Sequence, residues 1–244
     1  MSTSEPKWIA LGHPSYVWRF GQDRRLNLVQ EHVGLDGKRI LDVGCGIGTY
    51  TRKFRAFSSQ VYGVDIDAER ACQAGQAIPN ITAAPAEVLP YPDDYFDVVF
   101  LHEVIEHVKD DRAAIKEAVR VAAPGGSVVI YAPNRLYLFE THGIYLGKRY
   151  VFKLIPFVNY LPDPLRSRFC PHVRAYTSGG IKQLFAELPA EVVTHTYVFP
   201  GFDNISARNR IVGAIMRKGL YFLEQTPLQA FGLSHFLVAR KTPR

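Results

Sequence analysis

Cysteine is scarce: Cys45, Cys72 and Cys170 are the only three in 244 residues, and no two form a C-x-x-C pair. An odd, scattered set excludes a disulfide framework and a cysteine-ligated zinc site, and it points to a reducing compartment. No apolar run approaches the roughly 18 residues that a membrane-spanning helix needs. Met1 to Ala10 holds no long apolar stretch, so no secretory leader is expected and a cytoplasmic location is. Internal repeats and low-complexity tracts are also missing, which excludes solenoids and tails of biased composition. What is present suits a packed core: 47% of residues are hydrophobic and 12% aromatic. A chain of this length makes one large domain with room for an insertion.

Charge is unevenly spread. The net charge is +6. Asn134 to Gly180 carries seven Lys/Arg and two acids, and Ile205 to Arg244 carries seven Lys/Arg and one acid. The remainder is therefore acidic. Such asymmetry suits an acidic substrate, a lipid surface or nucleic acid as a partner of the later segments.

The most informative stretch runs from Leu41 to Tyr50. Arg39 to Val43 reads as a buried strand. Gly44, Gly46 and Gly48 make a tight turn that brings a ligand close to backbone N–H groups. Ile47 to Phe57 reads as the helix that follows. The spacing G-x-G-x-G places its third glycine one residue earlier than the dinucleotide fingerprint does. Asp42 stands just before the turn, where a carboxylate repels a pyrophosphate and suits a cationic group. Val61 to Asp65 reads as the next strand. It ends in an acid 21 residues after Gly44, the usual place for a carboxylate on ribose hydroxyls. A ligand with a ribose, a cationic head and no phosphate fits S-adenosylmethionine (SAM).

Asp42-Val43-Gly44-Cys45-Gly46-Ile47-Gly48 with Gly63-Val64-Asp65-Ile66-Asp67 resembles the class I SAM-dependent methyltransferases, over roughly Arg39 to Ala132. The resemblance implies a doubly wound, Rossmann-like α/β sheet of seven strands with the last antiparallel. It also implies SAM on Asp42, Gly44, Cys45, Gly46, Asp65 and Ile66. Residues 1–244 are read as a single domain: a SAM-binding core over 34–133, a helical lid over 134–176, and C-terminal elements over 177–244. Arg25-Leu26-x-x-Val29 resembles a segment of the ubiquinone-biosynthesis O-methyltransferases whose arginine meets the SAM carboxylate. Arg25 is the candidate for that role, with Arg24 beside it, on a helix read over Ser15 to Val33.

Downstream, Ala68 to Ala77 reads as a helix and Ile81 to Ala84 as a short strand. Ala86-Glu87-Val88-Leu89-Pro90 resembles the family segment that recognises adenine. The place of the family's acid falls on Pro85, which has neither a side-chain acceptor nor an N–H. Ala86 N–H or Glu87 is left to read the base. Phe96 to Leu101 is apolar enough for a central strand. Asp110 or Asp111 is the expected cap of the helix to Ala122, and Pro124-Gly125-Gly126 the turn into the strand Ser127 to Ala132.

His102-Glu103-Val104-Ile105-Glu106-His107 follows the central strand directly, where α/β folds place their ligands. As a helical turn it puts Glu103, Glu106 and His107 on one face. Two readings stay open. Two carboxylates and an imidazole suit Mg²⁺, Mn²⁺ or Zn²⁺. The string is similar to that of the ubiquinone O-methyltransferases and of the small-RNA 3′-terminal 2′-O-methyltransferases. In both, a later histidine joins, which here implies His172. Without a cation, the glutamates shape the acceptor pocket and His107 or His142 is the candidate general base. His102 is assigned to the cofactor side.

Asn134 to Arg174 is too long for a plain loop and reads as a functional cover. It mixes aromatics such as Phe139, Tyr145, Tyr150, Phe152, Phe157 and Tyr160 with basic residues. Lys148 to Pro156 is expected as a short amphipathic helix. The corresponding insertion of the ubiquinone enzymes binds the membrane surface, so either a membrane-facing lid or a self-packed one is expected. Ser178 to Leu188 reads as a helix, Glu191 to Phe199 as a strand, Ile205 to Leu223 as an amphipathic helix that faces a membrane, forms a dimer or packs on the lid, and Ser234 to Lys241 as the last strand. The expected function is SAM-dependent methyl transfer to oxygen on a small, apolar or lipid-like acceptor, at a cytoplasmic or peripheral-membrane location. An RNA-terminal methyltransferase is one rival. It is disfavoured because the basic residues sit among large aliphatics. A non-catalytic SAM-binding protein is the other.

Overall fold

A computed structural model describes residues 19–201 and 203–243. Seven strands form one sheet: β1 (Ile40–Val43), β2 (Val61–Asp65), β3 (Ile81–Ala83), β4 (Phe96–His102), β5 (Ala122–Pro133), β10 (Ala190–Val198) and β11 (Ser234–Lys241). The order is β10-β11-β5-β4-β1-β2-β3. Strands β1 to β5 pair in parallel, while β11 runs antiparallel to both β5 and β10. The expected sheet is therefore present, with β4 at its middle. Chain direction across the sheet reverses between β1 and β4, which makes the crevice at their carboxyl ends the natural ligand site.

The central strands β1, β4 and β5 are apolar on both faces because helices cover both. Leu41, Val43, Val99, Leu101, Val128 and Ile130 share one core with Ile115, Val119 and Phe185. The alternate residues Ile40, Val98, Phe100, Val129 and Tyr131 share a second core with Leu26, Val29 and Phe54. The first core packs α4 (Asp111–Val121) and α6 (Ser178–Gln183). The second packs α1 (Arg19–Val33) and α2 (Thr49–Phe54). Helix α3 (Ala68–Gly75) starts at Asp67, whose side chain accepts from Glu69 and Arg70 N–H. Asp110 caps α4 by accepting from Ala113 N–H. Asp111 instead accepts the Tyr176 hydroxyl. The expected turn at Pro124 to Gly126 is a bulge within β5, where the β4 register shifts between Phe96 and Val98.

The part of the N-terminal reading that covers Ser15 to Trp18 lies outside the described residues. Three other expectations change. Lys148 to Pro156 is extended rather than helical. β7 (Ile144–Leu146) and β8 (Arg149–Val151) form a hairpin whose two-residue loop opens with Gly147 at φ 64°, a glycine-first hairpin turn. β9 (Ile155–Pro156) pairs with β6 (Phe139–Glu140). The helical part of the insertion read as a lid is α5 (Asp163–Phe169), after a 3₁₀ turn at Val158–Tyr160. The helix expected from Ser178 to Leu188 stops at Gln183. The single helix expected over Ile205 to Leu223 is two, α7 (Asp203–Arg208) and α8 (Arg210–Leu223). Asn209 leaves the helical region at φ −148° and caps α8 by accepting from Ile211 and Val212 N–H.

The lid has its own small core of Ile144, Val158, Cys170 and Val173. A buried ion pair, Arg166 to Glu140 at 2.7 Å, braces it. Arg166 also donates to Asn159 Oδ1 and Val173 O. Phe152, Phe157 and Tyr160 remain exposed, so the lid both packs on itself and shows aromatic surface.

Candidate active site

The glycine corner between β1 and α2 is built as the spacing predicts. Gly44 has φ 71°, Gly46 54° and Gly48 84°, values that L side chains rarely adopt. Gly44 and Cys45 N–H both donate to Val64 O, at 2.7 and 3.0 Å, so the corner is pinned to β2. A Cβ on Gly44 would overlap Val104, whereas one on Gly46 would meet no atom within 4 Å. The space beside Gly46 is thus open for a ligand. Gly46 N–H donates to Asp65 Oδ2 and Asp67 N–H to Asp65 Oδ1, both at 2.8 Å. Those bonds fix the Asp65 carboxylate at the end of β2. Ile66, beside it, is 54% exposed, an apolar surface fit to stack on a base. Asp42 is buried and accepts from Thr51 Oγ1 at 2.6 Å. Burial pushes its pKa up to about 7, with Asp65 adding to the rise and Thr51 opposing it.

Arg25 is buried on α1 and points to the end of β4. Its guanidinium donates to Glu103 Oε1 at 2.9 Å, to Ser234 Oγ at 2.9 Å and to His102 Nε2 at 2.6 Å. Ser234 Oγ in turn donates to Glu103 at 2.8 Å. Burial works against the Arg25 charge, yet Glu103 keeps its pKa above the ordinary value. Burial and the neighbouring Arg25 push His102 down to about 3, so its ring is neutral and accepts. Arg24, one residue earlier, faces away. It stacks on Tyr221 at 3.9 Å and pairs with Glu224, so of the two arginines only Arg25 reaches the site. In the segment read for adenine, Ala86 is buried. Glu87 does not stay free to read a base: its Oε1 accepts from Lys109 N–H at 2.8 Å and Asp110 N–H at 3.4 Å. It closes the loop before α4 instead.

The 103–108 segment is a turn and not a helix. Glu103 has φ 54°, and this kink sends its carboxylate back to Arg25 and Ser234. Glu103 is therefore bound to α1 and β11 and does not join the expected metal group. Burial alone would raise its pKa, but Arg25 and then His102 hold it well below the carboxylate range. Glu106 is 1% exposed, and no N–H or hydroxyl group reaches either of its oxygens, which leaves Glu103 as its carboxyl neighbour. Burial, then the Glu103 charge, push its pKa up.

Glu106, His107 and His142 are the group that the fold brings together, with one ligand atom from each within 4.8 Å of the others. His172 does not belong to it. Its ring packs edge-on to Tyr145 and Tyr150, and its Nε2 sits 3.3 Å from His142 O. The lid histidine His142 takes the place read for His172. His142 N–H and Nδ1 lie 2.8 and 3.1 Å from Glu140 Oε1, so Nδ1–H donates there and Nε2 is left free. His107 Nδ1 is 3.3 Å from His172 O, which likewise leaves its Nε2. Burial, then His142, push His107 down to about 3. The two rings meet edge to face at 5.3 Å. Sequence reasoning does not single out Thr51 or Ser234. Thr51 lies on the first turn of α2, a local signal. Ser234 is 131 residues from Glu103, and no short-range pattern reveals it.

Residues 41–130 match the methyltransferase domain family. The chain is 30% identical over 162 residues to a ubiquinone biosynthesis O-methyltransferase of Aromatoleum aromaticum, covering 60% of this chain and 67% of the relative. It is 37% identical over 145 residues to the Pseudomonas fluorescens protein of the same name, covering 54% and 60%. The matches thus span from three fifths to two thirds of these relatives' lengths. A SAM-dependent methyltransferase structure from Mesorhizobium loti superposes with a TM-score of 0.58 at 20% identity, over 85% of this chain and 92% of that one. A 4+2 cyclase, SpnF, gives 0.60 at 20% identity over 94% and 85%, so the fold alone does not fix the reaction. The glycine corner, the paired acids Asp42 and Asp65, the sheet order and the relatives agree: the chain belongs to the class I SAM-dependent methyltransferases.

Proposed function

We propose that the chain transfers the methyl group of SAM to a hydroxyl oxygen of a small, apolar or lipid-like acceptor. The observation that carries this reading is the juxtaposition of Glu106, His107 and His142 where the lid meets the end of β4, beside the glycine corner. Asp42 faces the cationic amino-acid part of SAM, Asp65 its ribose, and Ile66 its base. Arg25 attracts the carboxylate, in competition with Glu103. The sulfonium is already activated, so the chain's work is mainly alignment and removal of the hydroxyl proton. His142 suits the proton transfer, because Glu140 fixes its tautomer and leaves Nε2 to accept, while Arg166 holds Glu140 in place. The exposed aromatics of the lid suit an apolar acceptor. The name printed for the relatives, ubiquinone biosynthesis O-methyltransferase, supports oxygen as the atom methylated.

The same residues fit a divalent cation. Glu106 offers two buried oxygens that no N–H or hydroxyl group engages. His107 and His142 keep their Nε2 atoms free, each oriented through Nδ1. Such an ion, when bound, lowers the pKa of the acceptor hydroxyl.

One assay tests both parts. Purified protein is given SAM and a phenol or catechol with an apolar tail, with and without prior chelation, and S-adenosylhomocysteine is measured. Acceptor-dependent product is expected, and His142→Ala should lower kcat at least about tenfold. SAM binding without acceptor-dependent turnover across such acceptors overturns the catalytic reading. Mn²⁺ binding followed calorimetrically should be lost in Glu106→Gln. Equal Mn²⁺ uptake by the variant, or unchanged activity after exhaustive chelation, removes the cation.

A further inference from the structure

Helix α8 turns apolar side chains to solvent. Ile211, Ile215 and Phe222 are 73%, 66% and 65% exposed. Their spacings of four and seven put them on one stripe. Lys218 lies on the same stripe, between Ile215 and Phe222, and is exposed, as are Arg208 and Arg210 near the helix start. From Ile205 to Leu223 the chain has four Lys/Arg and no Asp or Glu. The opposite side of the helix is anchored. Gly213 is buried against Ser206, where a Cβ would not fit, and Tyr221 lies on the Arg24 guanidinium. Among the described residues, no helix is long and apolar enough to cross a membrane.

We propose that the outward face of α8 binds an anionic lipid surface, with the helix lying in the plane of the headgroups. Ile211, Ile215 and Phe222 then enter the acyl boundary, and Arg208, Arg210 and Lys218 meet lipid phosphates. Apolar side chains on one face with basic residues among and beside them, and no acid within the helix, are what an interfacial helix requires; Glu224, at its C-terminal end, is taken up by Arg24. Charge argues against a second copy of the chain as the occupant. A two-fold contact would lay the cationic stripe on itself. A negatively charged bilayer satisfies the charge and the exposed apolar area together. The inference rests on α8 alone and does not depend on which acceptor is methylated.

The test is co-sedimentation of the full chain with vesicles of phosphatidylcholine alone, or with about a third phosphatidylglycerol, at low and high salt. Binding is expected to the anionic vesicles, weakened by salt and slight with the neutral ones. The paired variant Ile215→Asp, Phe222→Asp should weaken it at least about tenfold. Because both positions are exposed, its melting temperature and its SAM binding should stay as in the parent chain. Lys218→Glu should weaken anionic-vesicle binding alone. Failure to sediment with anionic vesicles, or undiminished sedimentation of the paired variant, overturns the proposal. So does light scattering that shows a dimer broken by the same variant in a chain that ignores vesicles.

Discussion

The Asp42 carboxylate is enclosed, and its partner is a hydroxyl, Thr51 Oγ1, instead of a cation. Burial raises its pKa to about 7, so between the ordinary aspartate range and pH 7 the folded chain holds a proton that the unfolded chain has released. Stability therefore falls as pH rises through that window. Asp42→Asn should remove this part of the pH dependence, measured as the difference between the two proteins' denaturant midpoints from pH 4 to pH 7.5. The SAM ammonium group favours the ionised form, so SAM affinity of the parent chain should rise across the same window. In Asp42→Asn it should be weaker and flatter in pH. At this scale the sequence is informative about position: Asp42 and Asp65 end neighbouring strands beside the glycine corner, as the motif spacing predicts. It misleads at Glu87, because nothing local shows that Lys109 and Asp110 N–H groups compete for that carboxylate. It also misleads at His172, where Tyr145 and Tyr150 decide where the ring packs.

Elements read well where a period or a turn residue set them. β1, β2 and β4 lie within a residue of their expected positions because buried parallel strands are continuous apolar runs, whereas β3 is an exposed edge strand and β5 starts early, at Ala122. The 103–108 segment departs because a left-handed residue, Glu103, follows β4 and breaks the helical turn that the spacing suggested. The lid departs because a glycine-first hairpin loop outcompetes a weak amphipathic pattern. The glycine corner itself allows a paired prediction. Gly44→Ala adds a clash with Val104 to a positive φ, whereas Gly46→Ala has the φ cost but open space. The first should lower the melting temperature more, by about 2–4 °C for each kcal/mol lost. The second should keep most of the stability yet weaken SAM binding, because its new methyl enters the ligand's space. A thermal melt and a SAM titration of both variants check this. A larger stability loss at Gly46 would contradict the geometry.

Across the whole molecule the two basic segments resolve into different structures. One is a lid with its own small core and a buried Arg166–Glu140 pair. The other includes α8, docked on α1 through Arg24. Composition showed that both were cationic but not which faces they would bury, because that depends on contacts between residues 200 positions apart, such as Arg24 and Glu224. The network of Arg25, Glu103 and Ser234 has the same origin. It joins α1, the end of β4 and the start of β11, and only the closed sheet places them together.

Pro85 and the engaged Glu87 have one more consequence, which concerns the purine. Where a carboxylate grips the exocyclic nitrogen, any substituent on that nitrogen forfeits a charged hydrogen bond. Here neither of these two residues offers one, so an alkyl group there should meet shape alone. An N6-methyl derivative of S-adenosylhomocysteine should thus compete with the unmodified compound within about tenfold, or roughly 1.4 kcal/mol. That tolerance would open this scaffold to methyl donors that carry a tag on the exocyclic purine nitrogen.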